Sequence, residues 1–204
     1  MSMSEEQGAP SASEDPRRRR LMEAALTVFL RFGFRKTSMD EVARAAGVSR
    51  QGLYLHFPTK EVLFRASVQH LLDGALAEAT ARLADGELPL EKRLVGAFDA
   101  WTGRFVGAFG GNAADLTAAA SELVGPMLAE REGLFVEAVA KALRLSSLVA
   151  AYKPAGLNAR QLADTLYATA RGLKYCATRE AFVEGMTVAV RAMCLPLRER
   201  GARS

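Results

Sequence analysis

Little in this 204-residue sequence invites metal, redox or covalent chemistry. The two histidines, His56 and His70, have no cysteine or aspartate cluster beside them, so no metal site is expected. With only two cysteines, Cys176 and Cys194, the chain has no disulfide framework. Both are expected to be reduced core residues, with a disulfide or redox switch as the alternative. No apolar run approaches the roughly 18–20 residues that a membrane span needs. The N-terminus lacks an apolar stretch behind a basic one, so a cytoplasmic protein without a signal peptide is expected. There is no phosphate-cradling glycine loop, no nucleophile–base pair and no paired metal ligands. The expectation is a protein that is not an enzyme and requires no cofactor.

What is present is charge in one place. The formal net charge is only +4. Residues 16–70 carry eleven Lys and Arg against Glu23, Asp40, Glu41 and Glu61, while residues 1–15 carry four acids and no base. Beyond residue 70 the charges nearly balance. A basic segment of this kind suits phosphate binding through counterion release. Residues 1–15, rich in Ser, Glu, Gly and Pro without apolar spacing, are expected to be a disordered tail.

Within the basic segment, residues 38–63 predict two short helices, a tight turn and the start of a third. Ser38 followed by Glu41 is a capping box. Val42, Ala43 and Ala46 form one apolar stripe, and Gly47 supplies the left-handed stop. Ser49 caps the next helix, with Arg50, Gln51 and Tyr54 on one side and Leu53 and Phe57 on the other. A helix, a glycine turn and a helix with a polar outer face make a helix-turn-helix. The DNA major groove admits one such helix, where Arg suits guanine and Gln suits adenine. The competing reading leaves Arg50 and Gln51 as ordinary solvated residues. An earlier helix is predicted from Pro16, with Leu21, Ala25, Val28, Phe29 and Phe32 on one face and Gly33 at its end.

Residues 17–63 resemble the DNA-binding domain of the TetR/AcrR family of bacterial transcriptional regulators. The resemblance is carried by Gly33-Phe34-Arg35-Lys36-Thr37-Ser38, by Val42-Ala43-x-x-Ala46-Gly47-Val48-Ser49, and by Leu53-Tyr54-x-His56-Phe57-x-x-Lys60-Glu61-x-Leu63. It implies that Thr37 and Ser38 touch the DNA backbone and that Tyr54 and Lys60 hold phosphates; Arg50 and Gln51, on the residue chemistry above, are the base-reading candidates. Ser49, Gly52 and His56 complete the DNA-facing set. Many members carry a hydroxyl residue before the Leu-Tyr pair, where this chain has Gly52.

A fourth helix is expected over about residues 60–84, joining the basic head to the rest. Later helices are expected over 90–109, 112–125, 126–145, 158–177 and 180–198, separated by Gly110-Gly111, Gly125-Pro126, a loop over 146–157 and a link near Thr178. The fold class is therefore all-α. The predicted units are a tail (1–15), a three-helix DNA-binding domain (16–62) and a helical effector-binding and dimerisation domain (63–204).

Phe98, Trp101, Phe105 and Phe109 recur at spacings of three and four and share one helix face. Met127, Phe135, Tyr152, Tyr167 and Tyr175 are candidates to face them. These rings either fill a dry core or line a cavity for a small, largely apolar effector, as the resemblance implies. The effector set is Phe98, Trp101, Phe105, Met127 and Tyr167. Leu162, Leu166, Leu173 and Cys176 form one stripe, and Phe182, Met186, Val190, Met193 and Leu197 another. Two such helices per subunit predict a four-helix homodimer interface, and a two-fold dimer matches a palindromic operator on double-stranded DNA. The leading reading is a ligand-responsive repressor. The alternatives are a DNA-bound regulator controlled by protein contacts and a helical enzyme with a nucleic-acid-binding head.

Overall fold

The computed structural model describes residues 15–108 and 112–201, with side chains through 196. Every regular element among the described residues is helical. The order is α1 (Pro16–Phe32), α2 (Met39–Ala45), α3 (Arg50–His56), α4 (Lys60–Ala84), α5 (Leu90–Trp101), α6 (Ala113–Arg144), α7 (Leu148–Tyr152), α8 (Ala159–Leu173) and α9 (Arg179–Gly201). The expected tail lies outside the described residues apart from Asp15, whose carboxylate accepts from the Arg17 amide at the start of α1.

Two apolar clusters organise the chain. The first takes Leu21, Met22, Ala25, Val28 and Phe29 from α1, Val42 and Ala43 from α2, and Leu53 and Phe57 from α3. It is completed by Leu63 and Phe64 of α4 and by Leu116 and Ala119 of α6. Phe34 folds back as expected, its ring 4.9 Å from that of Phe64, which meets Phe29 edge-on at 5.1 Å. Phe32, by contrast, is 40% exposed, because the wall of the cluster ends one turn earlier at Phe29. The second cluster holds the rest of α4 together with α5 to α9.

Several expected boundaries move. The helix expected over 90–109 stops at Trp101, and a short 3-10 turn, Gly103–Phe105, follows. At Gly103 a Cβ would lie 2.8 Å from the ring of the fully buried Phe182, so the backbone there packs directly on α9. Phe109 and the Gly110-Gly111 break lie outside the described residues. Gly125-Pro126 does not break the chain, for α6 runs through it. Proline removes the hydrogen bond to the carbonyl four residues back. Here that residue is Glu122, and both it and Pro126 lie on the exposed side of the helix. Burial on either side holds the helix together, with Leu116 and Ala119 in one cluster and Phe135, Val139 and Leu143 in the other. The segment expected as a loop forms α7, with Leu148 fully buried and the Tyr152 hydroxyl donating to the Met193 carbonyl of α9 at 2.8 Å.

The two stripes assigned to a dimer interface also need correction. Leu162 and Leu166 of α8 and Phe182, Met186 and Val190 of α9 are buried within the single chain. Leu173, Cys176 and Met193 are partly buried, and the side chain of Leu197 lies outside the described residues. An amphipathic stripe demands a cover: α6 supplies it for α8, and α5 and α7 supply it for α9, before a second copy is needed.

Candidate nucleic-acid interface

Local sequence builds the recognition unit. The Ser38 amide donates to Glu41 Oε2 at 2.7 Å and the Glu41 amide donates to Ser38 Oγ at 3.3 Å, the reciprocal capping box. Gly47, at φ 66°, turns the chain. Ser49 Oγ then accepts from the Gly52 amide at 3.0 Å and starts α3. A Cβ on residue 52 would stand 3.2 Å from that hydroxyl, so a side chain there presses on the cap. Glycine at this position keeps the cap relaxed.

Leu53 and Phe57 are fully buried behind α3, while Arg50, Gln51, Tyr54 and Leu55 face outward. The Arg50 guanidinium meets Asp40 of α2 at 3.1 Å and sits 5.5 Å from the Tyr54 ring centre. Both members of the Arg50–Asp40 pair are more than half exposed, so it is weak and gives way to a stronger acceptor. The helix therefore offers a cation, an amide, a phenol and one hydrocarbon to whatever docks on it.

Several residues expected to touch the DNA backbone are engaged elsewhere. Thr37 is 2% exposed and its hydroxyl donates inward to the Gly33 carbonyl at 2.6 Å, so it does not present that group to a phosphate. Ser38 remains exposed, but its hydroxyl donates to Glu41 at 2.9 Å. Lys60 is the larger departure. Its ammonium donates to the carbonyls of Phe34 (2.9 Å), Arg35 (3.4 Å) and Thr37 (3.0 Å) and lies 4.5 Å from the Phe34 ring centre. That uses all three N–H donors, so Lys60 fastens the loop between α1 and α2 instead of facing outward. His56 is partly buried, and its carbonyl accepts from Arg18.

Sequence reasoning missed other contributors. Arg18 stacks 4.5 Å above Phe57 and ties α1 to the end of α3. Leu55, at the position the family pattern leaves open, is 86% exposed. Asn112, just before α6, and Asp115 in its first turn grip the head from afar. Asn112 Nδ2 donates to the carbonyls of Leu30 (3.2 Å) and Arg31 (2.8 Å), and Asp115 accepts from the Arg35 amide at 3.1 Å. Contacts across some eighty residues leave no local signal, although Gly33 is a trace of them. At φ 83°, a Cβ there would stand 2.5 Å from Asp115 Oδ2.

The hydrogen bonds from Ser38 hold the Glu41 carboxyl below its ordinary range, with Arg44 adding to the effect. Because the folded value is the lower one, the cap stabilises above the ordinary glutamate range and is lost as pH falls through the depressed value. Amide exchange within α2, corrected for intrinsic rates, should therefore rise as the pH falls below the ordinary glutamate range. The corresponding cap of α8 uses Asn158 and Gln161, which do not titrate, and its amides should show no such rise.

Of the expected effector residues, Phe98, Trp101 and Tyr167 converge on Phe135. Phe98 meets it edge-on at 5.1 Å, Trp101 stacks on it at 5.0 Å, and Tyr167 lies 6.2 Å away. Burial, followed by the neighbouring Glu132 carboxylate, raises the Tyr167 hydroxyl well above the ordinary phenol range, and the nearby Trp101 indole offsets part of that rise. Phe105 is partly buried in the 3-10 turn and Met127 partly buried on α6. Two concavities lie elsewhere. One of about 530 Å³ is bounded by Arg18, Met22, Gln69, His70 and Asp73 between α1 and α4. The other, of about 590 Å³, is bounded by Pro89, Lys92, Val95, Thr187 and Arg191 between α5 and α9. Neither is lined by the expected effector residues.

Residues 21–67 match the family described as bacterial regulatory proteins, tetR family. The HTH-type transcriptional regulator RutR of Escherichia coli strain K12 is 36% identical over 74 residues, 36% of this chain and 35% of that protein. The chain thus spans about a third of the length of this curated relative. A TetR-like transcriptional regulator from Rhodococcus sp. RHA1 superposes with a TM-score of 0.59 at 26% identity, covering 88% of this chain and 96% of the other. The fatty acid degradation regulator FadR from Bacillus halodurans superposes with a TM-score of 0.64 at 14% identity over 88% and 96% of the two chains.

Proposed function

We propose, from the premise that this chain belongs to the TetR family through its N-terminal domain, that it is a dimeric, DNA-binding transcriptional regulator. The observation that supports this most is the outer face of α3. Arg50, Gln51 and Tyr54 stand exposed on a capped helix whose back, Leu53 and Phe57, is fully buried. Such a helix fits the major groove with hydrogen-bonding side chains towards the base edges. The surrounding charge supplies phosphate attraction through outward groups such as Arg35, whose side chain is 85% exposed.

A two-fold dimer doubles the reading of one short helix. With the apolar stripes of α8 and α9 used inside the chain, the outward faces remain for a second copy, where Val188 and Leu195 are 69% and 53% exposed. In the C-terminal domain, the aromatic cluster with Glu132, Tyr167 and Trp101 combines apolar surface with a polar handle, which suits a small, largely apolar effector that releases DNA. Such an effector acts only by binding the DNA-competent and DNA-incompetent states unequally. The full burial of Phe98 and Phe135 favours a second reading, in which protein contacts replace the small molecule.

The test is to enrich duplexes from a random pool with the purified protein and measure affinity against salt. Enriched duplexes should carry two symmetric half-sites one helical turn apart, about 10 base pairs. Binding should weaken roughly a thousandfold between about 50 and 200 mM salt, as six phosphate contacts require. Enrichment of no sequence, or weak salt-independent binding, would overturn the reading.

A further inference from the structure

Leu55 is the most exposed large apolar side chain among the described residues, at 86%, and it stands on the outward face of α3, near its C-terminal end and one turn beyond Gln51. Residues four apart stand one above the other on a helix. The outward face therefore carries two rows. Arg50 and Tyr54 form one, with cation and ring 5.5 Å apart. Gln51 and Leu55 form the other, and both are exposed. One helical turn advances about 5.4 Å, less than two base-pair steps of about 3.4 Å. Gln51 and Leu55 thus reach the same or neighbouring base pairs. Their chemistry is complementary, since Gln pairs with adenine N6 and N7 while the thymine C5 methyl is the apolar group of the major groove. Leu55 is also flanked by polar residues on its own helix, so it offers a contact the size of one methyl and not a patch for a protein partner.

We propose that Leu55 is a specificity-determining residue that packs on a thymine methyl beside the base read by Gln51, so that each half-site carries an A·T step there. This rests on the DNA-binding reading above.

The experiment takes an enriched duplex and replaces its thymines one at a time with deoxyuridine, which removes the methyl and keeps the base pairing. At one position per half-site the replacement should weaken the unaltered protein about fourfold, the effect of one buried carbon. Replacing both half-sites should weaken it about sixteenfold, since separated positions add. Leu55→Ala, at so exposed a position, should keep its melting temperature and bind the thymine and uracil duplexes alike. A thymine preference that survives in Leu55→Ala would sink the proposal. So would indifference of the unaltered protein to every replacement while it still prefers the enriched duplex, and either result leaves the DNA-binding reading standing. Enrichment of no duplex at all would overturn both.

Discussion

Phe135→Ala is expected to lower stability by about 3–5 kcal/mol, the range for removing a large ring from a packed interior. Phe135 is fully buried and stands between Phe98, Trp101 and Tyr167, so truncation strips contacts from three rings at once. Those rings belong to α5 and α8, which cannot close the gap without moving whole helices. For a chain of this size the melting temperature should fall by roughly 6–20 °C. A loss below about 1 kcal/mol would mean that the cluster is loosely filled. That outcome would strengthen the small-molecule reading at the expense of the protein-contact one.

Lys60→Met is expected to lower stability by about 2 kcal/mol, within the range for hydrogen bonds to a charged group. Methionine retains the apolar stem and removes the ammonium from the carbonyls of Phe34, Arg35 and Thr37. DNA binding should weaken for all sequences as the loop between α1 and α2 loses its fastening. The informative quantity is the salt slope. A lysine that neutralises a phosphate lowers the slope by about 0.9 when removed. A lysine whose three donors serve the loop should leave it unchanged. Calorimetric melting and salt titration of the one variant thus separate the two roles.

The contrast between these residues shows where sequence is informative. The cap at Ser38 and Glu41, the stop at Gly47 and the start at Ser49 each depend on residues within a few positions of one another, and all were legible. The partners of Lys60 lie more than twenty positions away. A charge in a basic segment looks the same whether it faces solvent or a ring of carbonyls. Thr37 was likewise legible as a hydroxyl at a junction, but not as one turned inward to Gly33. Periodicity located the apolar faces of α8 and α9 without saying whether their cover belongs to the same chain. Pro126 has the local habit of ending helices, whereas α6 is sustained through it by burial at both of its ends.

That long helix bears on how the protein is made. Leu116 and Ala119 complete the core begun by Leu21, Phe29, Leu53 and Phe64. A ribosome delivers the chain from its N-terminus at about 5–20 residues per second. After α3 emerges, the head waits several seconds for the turn of α6 that covers it. During that interval the side of the head that receives α6 is open to water and to neighbouring nascent chains. Conditions that slow translation between α4 and α6 should therefore lower the yield of folded protein more than equal delays placed after α6.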